Sequence, residues 1–127
     1  MDQKHNTRLL GWLTDKGKVR EINEDTVLVT SFGGEFPGPI HFLVVSDGMG
    51  GHAKGEAASK RASFSTSKIV MTTLGYKFDP FLIGTELPAK ILKDAIQEAN
   101  EDLHSWAKKN PESAGMGTTT VCAIVKG

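Results

Sequence analysis

An α+β fold, or a closely related layered α/β one, is predicted by three observations. Short β-branched or apolar runs stand early in the chain and again at its end. The early runs are divided by clusters of Gly and Pro, and two long segments between Lys54 and Asn110 lack the strand pattern and carry helical spacing instead. The 127 residues fit one domain, taken as spanning 1–127, and can bury a core without disulfide or metal staples.

LLGWLT (9–14) reads as a first strand followed by the turn-like DKGK. VREINED (19–25) leads into TVLVTS (26–31), whose Val and Thr content favours a strand. GGEFPGP (33–39) is dense in turn formers and reads as a hairpin-like connection. IHFLVVS (40–46) is almost continuously apolar and predicts a strand buried on both faces. From Lys54 to about Thr73, Ala58, Ala62, Ser65, Ile69 and Thr72 recur at helical spacing, though Ser and Thr weaken the pattern. A loop follows from Gly75 to Pro88. Ile91, Leu92, Ala95, Ile96, Ala99, Leu103, Trp106 and Ala107 then form one stripe of period 3.6, and Pro111 stops that helix near Asn110. TTTVCAIV (118–125) predicts a final strand with no evident sequential partner. Either it pairs with an early strand, or the chain is a piece of something longer.

Composition excludes several functions. Fifteen basic residues balance fifteen acidic ones, which removes the electrostatic case for nucleic acid or an anionic membrane as the main partner. A single cysteine, Cys122, cannot form an intramolecular bridge and reads as a buried small hydrophobe. The opening residues lack the apolar core of a signal peptide, and no apolar run is long enough to span a membrane. A cytoplasmic, reducing location is expected.

The chemistry concentrates in VVSDGMGGH (44–52). Asp47 ends a buried strand, where sheets commonly place ligands, and Gly48, Gly50 and Gly51 permit positive φ and expose backbone groups. A carboxylate beside a bare carbonyl suits a hard divalent cation; an ordinary Asp-Gly turn explains the same letters. Glu24 and Asp25 are placed to supply further carboxylate to the same ion, and Arg20 is close enough to grip a phosphate there. A solvated charged turn is the plainer reading of that stretch. His52 ends the glycine loop, and an imidazole there could serve as a general acid, although a lone loop histidine is more often only solvated. The histidines have no zinc spacing, and the glycine loop is neither a Walker loop nor a dinucleotide fingerprint.

Five words occur together: G-x-V-R-x-x-N-E-D at 17–25, V-V-S-D-G-M-G-G-H at 44–52, G-E-x-A-S at 55–59, A-N-x-x-L at 99–103 and G-M-G-T-T at 115–119. In this order they resemble the amino-terminal half of the bacterial-type PP2C (PPM) metal-dependent serine/threonine protein phosphatases. The resemblance implies a layered α-β-β-α fold, with antiparallel sheets flanked by long helices. It implies two Mn²⁺ or Mg²⁺ ions, bridged by Asp47, with the Gly48 carbonyl on one of them. Glu24 and Asp25 would hold metal-bound waters or sit just behind them. Arg20 would grip the substrate phosphate and His52 would protonate the leaving alkoxide, so Asp47 and His52 are the catalytic candidates. The implied reaction is hydrolysis of phosphoserine or phosphothreonine by metal-activated water, on a phosphorylated protein substrate.

That family's domain is roughly twice as long, and its later half brings further metal-binding aspartates. The chain is therefore expected to be truncated, to bind metal weakly, and to catalyse poorly alone. The competing expectation is a non-catalytic half-domain that binds a phosphoprotein or partner, or forms a homo-oligomer through an unpaired terminal strand.

Overall fold

The computed structural model describes residues 10–33, 38–51, 53–77 and 86–126. Three strands and two long helices make up the fold: β1 (Asp25–Phe32), β2 (Ile40–Met49), α1 (Ala53–Lys77), α2 (Glu86–Lys109) and β3 (Gly117–Lys126), with a single 3-10 turn, Pro111–Ser113, between α2 and β3. The α+β class and the antiparallel sheet are borne out. Sheet order is β1-β2-β3, so the central strand is β2.

The terminal strand is not an orphan. β3 pairs with β2 along its whole length, from Ile40 opposite Lys126 to Met49 opposite Gly117. It reaches β2 only after both helices, which is why no sequential neighbour signals the pairing. The segment LLGWLT departs from expectation in the other direction. Leu9 lies outside the described residues, and 10–14 form no strand. Trp12 and Leu13 are 62% and 87% exposed, so apolar letters alone did not make a strand where no described strand pairs with them.

Directly opposed residues share a face, so the register sorts the side chains. Leu28, Phe42, Val44, Cys122 and Ile124 turn toward the helices and pack with Val70, Leu74, Ile91 and Ala95. The other face carries Val27, Val29, Leu43, Val45 and Val121, together with Asp25 and Asp47. Val45 is 49% and Val121 72% exposed. β2 is thus buried on its helix side rather than on both.

The inward face of α1 is made of small and hydroxyl-bearing residues. Ala58, Ser59, Ser63, Thr66 and Val70 are fully buried, whereas Thr72 is exposed. Ser63 donates to Ser46 at 2.8 Å, Ser46 shares a hydrogen bond with Thr120 at 3.1 Å, and Thr26 shares one with Ser59 at 2.9 Å. These short polar side chains let α1 lie close to the sheet while the hydroxyls of Ser59 and Ser63 find partners on the strands; that of Thr66 has none among the described residues. α2 presents Ile91, Ala95 and Ala99 inward as its stripe predicts, but Ile96, on the stripe's margin, is 38% exposed. Arg61 of α1 ties to α2 through an ion pair with Asp102 at 2.9 Å and a guanidinium lying 5.3 Å over the Trp106 ring.

Candidate functional site

The site is built where β1 begins and β2 ends. Strand register sets Asp25 directly across from Asp47, on the face away from the helices. Upstream, a short network shapes the approach to β1. Gly17, at φ +73°, donates its N–H to Asp15 Oδ1 at 2.7 Å. Asn23 Nδ2 donates to Thr14 Oγ1 at 2.9 Å, and Asn23 Oδ1 accepts from the Asp25 N–H at 3.0 Å. The Asn side chain therefore fixes the turn that delivers Asp25. An open cleft of about 200 Å³ results, lined by Asp15, Lys16, Arg20, Ile22, Asn23, Glu24, Asp25 and Asp47.

Two carboxylates across neighbouring strands repel. The Asp25 carboxyl is held above its ordinary 3.8, first through desolvation and then through the charge of Asp47 and a hydrogen bond with it; Arg20 opposes the shift and Glu24 adds to it. A shared proton answers this repulsion in acid, and a divalent cation answers the same electrostatic demand at neutral pH. Among the described residues, however, no group of three or more His, Cys, Asp or Glu side chains is arranged to hold a metal. Asp25 and Asp47 fit such an ion as two donors of an incomplete set.

Glu24 lines the same cleft. It is buried, its Oε2 is paired with Arg20 Nη1, and its backbone carbonyl accepts the Gly48 N–H at 3.1 Å. Arg20 does stand at the cleft, as the sequence places it. His52 lies outside the described residues.

Two of the three loop glycines take the positive φ expected of them, Gly50 at +135° and Gly51 at +67°, and Gly48 does not. Gly48 is required by contact: a Cβ there would stand 2.0 Å from the Gly55 carbonyl oxygen and 2.6 Å from that of Glu24. Gly55 is required for the same reason, since its Cβ would meet Glu24 Oε1 at 2.2 Å. The start of α1, the end of β2 and Glu24 thus converge on two side-chain-free positions. Sequence reasoning noted Gly55 only as part of a word, and passed over Lys16 and the turn-forming role of Asn23. The Asn-before-strand signal for an Asx turn was the available clue for Asn23; Lys16 carried none.

Comparison with known proteins follows this geometry. The chain is 33% identical to the serine/threonine phosphatase stp of Listeria monocytogenes over 88% of its own length and 40% of that protein's. It is 32% identical to the serine/threonine protein phosphatase PstP of Mycobacterium tuberculosis, over 90% of this chain and 18% of that one. The crystal structure of serine/threonine phosphatase Stp1 from Staphylococcus aureus superposes with a TM-score of 0.67 at 34% identity, over 89% of this chain and 40% of that chain. The chain is thus similar to part of bacterial serine/threonine phosphatases of the PP2C type. No family model matches it. It spans less than half the length of these relatives, and its α+β fold matches that of the Staphylococcus aureus structure over that share. The relatives' family is metal-dependent. No described helix is long and apolar enough to cross a membrane.

Proposed function

We propose that the chain forms, as one domain portion, the Arg20–Asp25–Asp47 part of a phosphatase site that hydrolyses phosphoserine and phosphothreonine in protein substrates. The observation that carries the proposal is the opposition of Asp25 and Asp47 across β1 and β2, in one cleft with Arg20. Asp47, Asp25 and the Gly48 carbonyl are the groups that would hold Mn²⁺ or Mg²⁺. Bound there, such ions supply an activated water and neutralise charge developing on the phosphoryl group.

The protein's own groups do the rest. Arg20 presents a planar guanidinium to the phosphate oxygens, and Lys16, in the same cleft, adds a second positive charge. Water oxygen bonds to phosphorus while the phosphorus–oxygen bond to the Ser or Thr side chain breaks. The departing alkoxide takes a proton from His52, which the sequence sets beside the glycine turn. Two carboxylates are few for a pair of ions, so binding by this chain alone is expected to be weak.

The test is hydrolysis of p-nitrophenyl phosphate and of a phosphothreonine peptide at millimolar Mn²⁺, comparing the chain with Asp47→Asn. Turnover that disappears in the variant supports the proposal, and no turnover in the parent excludes catalysis by this chain in isolation. A second reading, a partner-binding or self-associating half-domain, is favoured by the exposed Val45 and Val121. It predicts a complex that hides those two residues whether or not Asp47 is intact.

A further inference from the structure

The Arg20–Glu24 pair supports a step beyond that assignment, and it rests on the reading of Arg20 as the phosphate grip. We infer that Glu24 is a positioning residue: a buried carboxylate that holds the Arg20 guanidinium at the cleft, rather than a third donor to a metal.

Three observations carry this. The Glu24 side chain is only 9% exposed, whereas that of Arg20 is 67% exposed, so a fixed anchor meets an otherwise free arm. The two join through Arg20 Nη1 and Glu24 Oε2 at 2.5 Å. The anchor itself has little room to move. Its backbone is tied to Gly48 N–H, and its Oε1 is packed against Gly55, where even a methyl group would collide. Glu24 Oε1 has no hydrogen-bond partner. The Arg20 contact is therefore the one described hydrogen bond that satisfies this buried side chain, and breaking it would strand a charge away from water.

The geometry suits recognition of a phosphate. A guanidinium has five N–H donors in a rigid fork, and occupying one nitrogen with Glu24 leaves the others for an anion. An exposed arginine otherwise loses considerable rotamer freedom when it binds. Anchored by Glu24, Arg20 has lost part of that freedom on folding, and less remains to be lost with the substrate. The pairing is local in sequence yet not helical, since residues 20–24 precede β1. It is the strand start and the two glycines, not a helix turn, that set the spacing.

The experiment is a double-mutant cycle on the full chain, read as binding of a phosphothreonine peptide without metal by isothermal titration or NMR shifts. The parent, Arg20→Ala, Glu24→Gln and the double variant are compared, each checked for native circular dichroism. Glu24→Gln is expected to weaken binding about tenfold, and the double variant to bind no worse than Arg20→Ala. Glu24→Asp, which keeps the charge, should recover part of the loss. Additive losses in the double variant overturn the inference and leave Arg20 as the grip. Unchanged binding in Arg20→Ala, or a parent that does not bind, overturns the reading of Arg20 and the inference with it. A second measurement needs no variant: NMR of the parent's Arg20 guanidinium should show slowed rotation of its terminal nitrogens. Free rotation there would overturn the tether even if Glu24→Gln failed to fold.

Discussion

Replacing Gly48 with Ala puts the packing of the site to its sharpest test. The added methyl would lie 2.0 Å from Gly55 O, 2.5 Å from Gly55 C and 2.6 Å from Glu24 O. All three are backbone atoms, so no side chain can rotate aside. Restoring an ordinary 3.4 Å contact from 2.0 Å requires β2 and the start of α1 to separate by 1.4 Å. Overpacking of this kind costs about 1–3 kcal/mol or more. Separation also weakens the Gly48 N–H to Glu24 carbonyl bond, worth about 1 kcal/mol. The expected loss is about 2–4 kcal/mol, a large share of the roughly 5–15 kcal/mol of a typical domain. Urea unfolding followed by circular dichroism should show the midpoint fall by about 1–2 M, given an m-value of about 2 kcal/mol/M. Gly51→Ala is the control: nothing lies within 4 Å of its Cβ, and only its φ of +67° resists the change. It should cost about 1 kcal/mol. A Gly48→Ala protein as stable as the Gly51→Ala one would refute the reasoning.

Three further outcomes follow from the same contacts. In metal-free buffer, Asp25→Asn should be more stable than the parent at neutral pH. The raised Asp25 pKa means that the folded state holds its proton more tightly, so the parent loses stability as pH rises through that folded pKa. The gap between the two proteins should close below the ordinary aspartate value of 3.8, as urea titrations at several pH values would show. Ser46→Ala should cost about 1–2 kcal/mol by leaving the hydroxyls of Ser63 and Thr120 short of a partner, with Ser46→Ala/Ser63→Ala costing less than the sum, as paired chemical denaturation would show. Arg61→Ala should cost about 1 kcal/mol in the same assay, since its pair with Asp102 is partly exposed and its contact with Trp106 adds modestly.

How far the fold could be read depended on which residues faced inward. α2 was legible because Ile91, Ala95 and Ala99 are apolar at the right spacing. α1 was legible as a helix, but its buried side was not, because Ser59, Ser63 and Thr66 are polar letters that are nevertheless fully buried, the first two with their hydroxyls hydrogen-bonded inside. Hydrophobic periodicity cannot find such a face. The misplaced strand at 10–14 and the undecided partner of β3 share one cause: sheet partners are chosen across the chain, and local composition is silent about them. Asp25, Asp47 and Arg20 were candidates from sequence, and the register brings them to one cleft. A one-residue slip between β1 and β2 would have sent the two aspartates to opposite faces. Gly48 does not use the positive φ that sequence allowed it; its need is for contact space. Gly55 and the Glu24–Arg20 tether became visible only once β2 and α1 were brought together.

The most direct test of the metal-site proposal is a Mn²⁺ titration of the chain followed by paramagnetic broadening of backbone amide signals. The arrangement of the two carboxylates predicts that Asp25, Asp47 and Gly48 broaden first, and that the effect is lost in Asp47→Asn. Broadening centred instead on the solvated acidic side of α2, around Asp94, Glu98 and Glu101, or none at millimolar Mn²⁺, would contradict it.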